Sequence, residues 1–330
     1  MAGSLRLCRV PVLIGSYADQ FSTYDDDFKP LAAPVRTPAP SFLTVGPAGI
    51  RYAVGELDEG RVSAFTPDGD LINTLPTGGA APCHLALAPT LASGFLLVAN
   101  YGGGSVAVFA LRPDGGLDRR TDLAQHAGGS VVPGRQEGPH AHQVTVRGQL
   151  VHVVDLGMDA LVHYRLTPDG TLKHLRTTTV QPLGTGPRHL VFHPTGRVFV
   201  ANELASTVST YTSGFELLNV QPSFLVQPAG DNFPSELLLS PGGTHLYVAN
   251  RGNDTITTFA VEDDGLLPID EVSTGGTWPR HFACISGALY VANQHSDTVT
   301  RLDLDPSTGI PNPPTTVLDH PSPSAIVQLG

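Results

Sequence analysis

The sequence predicts an all-β chain folded as a seven-bladed β-propeller, a single domain over residues 1–330 with four antiparallel strands per blade. Three observations predict it. One strand-and-turn phrase recurs along the chain, a second phrase precedes most of its copies at a near-constant offset, and nothing between them carries a convincing helical period.

The first phrase reads RYAVGELDEGRVSAF from residue 51, FLLVANYGGGSVAVF from 95, VHVVDLGMDALVHY from 151 and VFVANELASTVSTY from 198. It returns as LYVANRGNDTITTF from 246 and LYVANQHSDTVTRL from 289, and VLIGSYAD from 12 is a looser copy. The Asn of the VAN triplet sets the register, at Asn100, Asn202, Asn250 and Asn293, with Ser16, Gly55 and Asp155 in the same slot. The repeated Asn is expected to bond backbone in the tight turn that follows. The second phrase begins at Pro40, Pro82, Pro139, Pro187, Pro234, Pro279 and Pro323. Each phrase thus occurs seven times, at a period of roughly 40 to 57 residues. Alternating strand patterns and DG or PG turns fill each period, which gives four short strands per repeat.

The offset between the phrases matters at the ends. PSAIVQ, from Pro323, has no partner phrase after it, and VLIGSY has none before it. The two half-blades should combine, the C-terminal strand innermost, so that the ring closes and two open sheet edges disappear. Residues 18–39, with Asp25, Asp26 and Asp27 followed by several prolines, read as a surface loop, and 305–322 read the same way.

The formal net charge is −11, with no basic stripe, which argues against nucleic acid as a partner. Local arginines can still reverse the field in one cleft. Lysine occurs only at Lys29 and Lys173, so Schiff-base chemistry is not expected. Cys8, Cys83 and Cys284 are too few and too widely spaced for a disulfide framework or a CxxC metal knuckle. The N-terminal apolar stretch is broken by Arg6 and Arg9 and does not read as a signal peptide, and no apolar run approaches 18 residues. A cytoplasmic protein is expected, without membrane contact, as a monomer or weak homo-oligomer.

In a blade the innermost strand runs one way and the second runs back, so the start of one and the end of the other share a face. That face should collect Cys83, His84 and Tyr101; His140, His142 and Leu156; Arg188, His189 and Glu203; Ser235, Glu236 and Arg251; and Arg280, His281 and Gln294. The slot after the register mark changes its chemistry from Tyr101 to Glu203, Arg251 and Gln294, which a purely structural slot would not do. GPHAHQV carries two histidines two apart, on one side of a strand. Such a pair can ligate zinc, but no third ligand joins it by spacing and nearby arginines oppose a cation, so neither a metal nor any other cofactor is expected. Walker, GxGxxG and GxSxG patterns are all missing. Converging arginines beside imidazoles and one carboxylate suit a small polyanionic substrate, with Glu203 and a histidine as base and acid.

PCHL, LLVANYGGGSVAVF, RQEGPHAHQV, VVDLGMDALVHY, GPRHLVFHPTGRVFVANEL and LYVANRGNDTITTF resemble the lactonase family of seven-bladed propellers. That family includes propeller-type 6-phosphogluconolactonases and fungal 3-carboxy-cis,cis-muconate lactonizing enzymes. The likeness runs over about residues 10 to 310, with GSYADQ and VGELDEG as departures in the N-terminal part. The resemblance implies a site formed by His140 or His142, Arg188, Glu203 and Arg251; the shared face of the strands adds Arg280, His189, Tyr101, His84 and Gln294 as substrate-binding candidates. It implies hydrolysis of a small anionic sugar lactone, foremost 6-phosphoglucono-1,5-lactone to 6-phosphogluconate. A muconate cycloisomerase, or a non-catalytic binding propeller, is the alternative.

Overall fold

Each VAN-type phrase forms the second strand of a blade, and each proline-headed phrase forms the strand inside it. The computed structural model describes residues 11–88, 94–263 and 265–329. Cys8, Arg6 and Arg9 lie outside these. Among the described residues there are seven four-stranded antiparallel sheets and no α-helix. Numbered from the closing sheet, blade 1 joins Pro323–Gln328 to Val12–Ser16, Gln20–Tyr24 and Val35–Arg36. Blades 2 to 7 follow in chain order, with inner strands Leu43–Val45, Pro82–Ala88, Ala141–Arg147, Pro187–Phe192, Phe233–Leu239 and Pro279–Ile285. Every inner strand touches those of both neighbouring blades, which closes a ring around an axial channel.

The predicted closure holds. Val12 pairs with Gln328, Leu13 with Val327 and Ile14 with Ile326, antiparallel. Gly15 is required there: a Cβ would lie 2.6 Å from the Pro40 carbonyl oxygen. The two stretches read as loops each contain strand. Gln20–Tyr24, with Phe21 fully buried, is the third strand of blade 1, and Thr315–Asp319 is the outer strand of blade 7. Proline-rich flanks and shortness masked both, because neither carries enough alternation to stand out as a strand.

Blades are held by what lies between them. The seven apolar clusters each draw on two adjacent blades; Ile14, Tyr24 and Ile326 of blade 1, for example, pack with Tyr290, Ala292 and Val299 of blade 7. A β-branched and aromatic face on both sides of a strand therefore has a neighbour to bury it. The VAN asparagines are fully buried, and they act differently from expectation. Asn100, Asn202, Asn250 and Asn293 each donate to a hydroxyl of the third strand: Ser105, Thr207 and Ser209, Thr255 and Thr257, and Thr300. Among the described residues, backbone carbonyls join at Asn250 and Asn293. They tie second strand to third.

Candidate active site

The inner strands enter the ring with a recurrent irregularity. In blade 5, Pro187 pairs with Asn202 but His189 with Ala201, so Arg188 is an extra residue. Blades 3, 4 and 7 repeat this at Cys83, His142 and Arg280, and blade 6 shifts between Pro234 and Leu237. A bulge turns the extra side chain away from its strand alternation. All four bulged residues line the cavities of the channel mouth.

The outer cavity, about 180 Å³, is lined by Glu56, Cys83, Tyr101, Arg135, His142, Glu203, Arg251 and Arg280. A much smaller inner cavity continues from it, sharing Glu56, Cys83, His142 and Arg280 and adding Arg188, His189, His281, Tyr17, Ser41 and Ser324 among its walls. A roomier cavity of about 340 Å³ around Ile50, Tyr52, Leu87 and Phe95 is largely apolar and gathers no comparable group of charges.

Glu203 is placed by backbone. Its N–H donates to the Gly186 carbonyl at 2.7 Å, and Gly186 donates in turn to Asp159 Oδ1 at 2.7 Å. Gly186 has φ +58°, and a Cβ there would meet the Leu204 side chain, so the GPRH turn depends on glycine. The Glu203 carboxylate then receives three guanidinium groups. Arg135 Nη2 lies 2.5 Å from Oε1, Arg251 Nη2 2.6 Å from Oε2, and Arg188 Nε 3.4 Å from Oε2. Burial alone would raise its pKa, but the charges of Arg251 and Arg188 and the Arg135 hydrogen bond outweigh it and hold the carboxyl down to about 2.

The arginines have further anchors. Arg188 Nη1 donates to the Ser235 carbonyl at 2.7 Å, and Arg251 Nε to the Phe233 carbonyl at 3.2 Å. Burial, reinforced by Arg251 and Arg280, pushes Arg188 down to about 10, which leaves it charged at neutral pH. Arg280 differs: it makes no ion pair among the described residues and lies with its guanidinium carbon 4.7 Å from the centre of the Tyr17 ring. Facing it, Glu56 Oε2 accepts from Tyr17 Oη at 2.8 Å and from Ser41 Oγ.

Below the arginines lies a layer of imidazoles. His142 and His189 meet edge to face with centroids 5.0 Å apart, and His84 and His189 do so at 5.4 Å. Burial, followed by the charge of Arg188, lowers His142 and His189 well below the usual histidine range, so both are neutral. His189 Nδ1 lies 3.0 Å from Glu236 Oε2.

The cavities thus bring together His142, Arg188, His189, Glu203, Arg251, Arg280 and Tyr101. His140 stays at the rim: its Nδ1 lies 3.0 Å from the Tyr101 carbonyl and its ring stacks on Tyr101 at 4.5 Å. His84 is stacked against Phe42 and Gln294 lies apart, and neither lines a cavity. Arg135, Glu56 and Tyr17 were not anticipated. Glu56 and Tyr17 directly follow the register marks Gly55 and Ser16, so the slot that yields Glu203 and Arg251 could have found both. Arg135 sits in the loop before blade 4, fixed by Gln136, whose amide bonds the Leu156 carbonyl and the Val132 N–H.

A closed seven-bladed ring with a cationic, imidazole-floored mouth is the class of protein that fold and site define. A family model described as "Lactonase, 7-bladed beta-propeller" matches residues 13–328, and the chain belongs to this family. It is 34% identical over 282 residues to a 6-phosphogluconolactonase of Bacillus subtilis, covering 79% of this chain and 78% of that one. A 6-phosphogluconolactonase of Formosa agariphila is 32% identical over 297 residues, covering 82% of each chain. Among solved structures, the periplasmic gluconolactonase PpgL of Pseudomonas aeruginosa superposes with a TM-score of 0.87 at 29% identity, over 98% of this chain and 99% of that one.

Proposed function

We propose that the chain hydrolyses 6-phosphoglucono-1,5-lactone, or a closely similar anionic sugar lactone, in the outer cavity. One observation carries this most directly. Arg135, Arg188, Arg251 and Arg280 line the joined cavities against only Glu56 and Glu203, an excess of two positive charges inside an acidic chain. A phosphate monoester carries a matching charge near neutral pH. The names of the relatives point to the same substrate.

Arg280, the guanidinium without an ion pair, would receive the phosphate, and the arginines on Glu203 would polarise the ring carbonyl as negative charge develops there. Glu203 then acts as the anchor of three guanidiniums. Both its oxygens are engaged by Arg135, Arg188 and Arg251, which commits the carboxylate to holding them rather than to taking a proton from water. The proton falls to the neutral imidazoles of the floor, His142 or His189. No helix among the described residues is long and apolar enough to cross a membrane. Cys83 and Cys284 are free thiols, in keeping with our reading of a reducing, cytoplasmic setting.

The test is an assay of lactone hydrolysis above the spontaneous rate, run on the phosphorylated and unphosphorylated gluconolactones beside cyclisation of 3-carboxy-cis,cis-muconate. The phosphorylated lactone should be preferred, and Arg280→Ala should remove most of that preference by raising KM about 10-fold or more, the effect of one lost charge-assisted contact. Turnover of the muconate alone, or of no lactone at all, would overturn the reading.

A further inference from the structure

The second residue after the leading proline of the repeated phrase is His84 in blade 3, His189 in blade 5 and His281 in blade 7, but Glu236 in blade 6. The structure puts this lone carboxylate between two of the imidazoles. Glu236 Oε2 lies 3.0 Å from His189 Nδ1 and 3.5 Å from His281 Nε2, while Oε1 accepts the Leu237 N–H at 3.2 Å. All three side chains are largely buried, and no arginine is paired to Glu236 among the described residues.

The hydrogen bonds fix which nitrogens carry protons. Ile326 N–H donates to His281 Nδ1 at 3.3 Å, so that nitrogen is bare and His281 Nε2 carries the hydrogen that faces Glu236. With Oε2 facing two imidazole nitrogens, the arrangement that satisfies both has the carboxylate oxygen accepting, so His189 presents Nδ1–H to it. The basic lone pair of His189 is then left on Nε2, which is buried and has no partner. The ring bearing it lines the inner cavity together with His142 and Arg188, and that cavity shares the walls Glu56, Cys83, His142 and Arg280 with the outer one.

We propose that Glu236 is a positioning residue that holds His189 in the Nδ1–H tautomer, making His189 Nε2 the acceptor of the proton from the attacking water. This rests on the lactonase reading above. An O–H bond of water breaks toward Nε2, and the water oxygen bonds to the carbonyl carbon. The bond from that carbon to the ring oxygen then breaks, and the proton passes to the ring oxygen, giving the open hydroxy acid. The alternative tautomer would point a hydrogen at the water and could not start the reaction.

The groups facing His189 set the expected pH behaviour. Glu236 and Glu203 favour its protonated form; Arg188, Arg251, Arg280 and any charge on His84, His142 or His281 disfavour it. Removing the Glu236 charge therefore moves the acid limb of the kcat/KM profile to lower pH, while the rate on the plateau falls.

The test begins with ¹⁵N-histidine spectra of the wild-type protein, with His189 assigned by the signal lost in His189→Asn. An Nδ1-protonated pattern is expected, and an Nε2-protonated pattern would overturn the proposal without reference to any substrate. Glu236→Gln should then lower kcat about 10²-fold with KM little changed and the acid limb shifted down, with Glu236→Asp recovering part of the rate. A folded Glu236→Gln with wild-type kcat, or with a change in KM alone, would also overturn it. Should the wild type hydrolyse no lactone, the functional reading fails while the tautomer result still stands.

Discussion

At the residue scale, Glu203 is the hub on which three cations are arranged, and its removal is expected to do more than slow a reaction. Glu203→Gln leaves buried guanidiniums without their counter-charge, which costs about 3–5 kcal/mol in such settings. Chemical denaturation should register that loss together with a fall in turnover. The sign of its pH dependence follows from a carboxyl at about 2 in the folded chain against 4.5 ordinarily. The stabilisation is complete above about pH 4.5 and fades as the pH falls toward 2. The stability gap between wild type and Glu203→Gln should therefore close with acidification. Arg188→Ala belongs to the same scale: losing a charged donor from a buried site should lower kcat/KM about 10²–10³-fold. Near-wild-type kinetics would remove Arg188 from the site. These residues were legible in sequence because Arg188, Glu203 and Arg251 each occupy a repeated slot whose chemistry varies. Arg135 was not, since it stands in a loop between blades where no period applies.

At the element scale, the bulges explain what the sequence could not choose between. His140 and His142 have the right spacing to share a strand face, and only the shift between Ala141 and Gln143 turns His142 inward and leaves His140 against Tyr101. A one-residue slip of this kind has no signature in an alternating pattern. The blade count and the closing strand were legible because they rest on whole repeated phrases, which survive such slips. Two expected outcomes belong here. Asn250→Ala should cost about 1–3 kcal/mol by removing the partner of Thr257 and of the Ser223 carbonyl, while Thr255 keeps Glu271 and Asn253, with little change in kcat per folded molecule. Deleting residues 323–330 removes the inner strand of blade 1 and exposes the edge at Val12–Ser16. A melting temperature lower by about 10 °C or more is expected, and an unchanged one would contradict the observed pairing.

At the scale of the whole molecule, an acidic surface surrounds a cationic mouth. Raising ionic strength screens both, and the local arginines matter more to a charged substrate. Between 0.01 and 0.5 M salt, KM for the phosphorylated lactone should rise several-fold while that for the uncharged lactone stays level, a comparison that needs one enzyme preparation. The closing seam gives the molecule a second property. Tyr17 and Ser324, from the two ends of the chain, stand in the wall of the inner cavity beside Arg188 and His189 from the middle. A product or inhibitor in the adjoining outer cavity, held against Arg280 and Glu56, which both contact Tyr17, favours the closed ring, so each occupied molecule is withdrawn from the opening equilibrium. By mass action the seam gains about 2.7 kcal/mol at a hundred times Kd. Metabolite supply would then govern not only how fast the protein works but how long it resists proteolysis at its own ends.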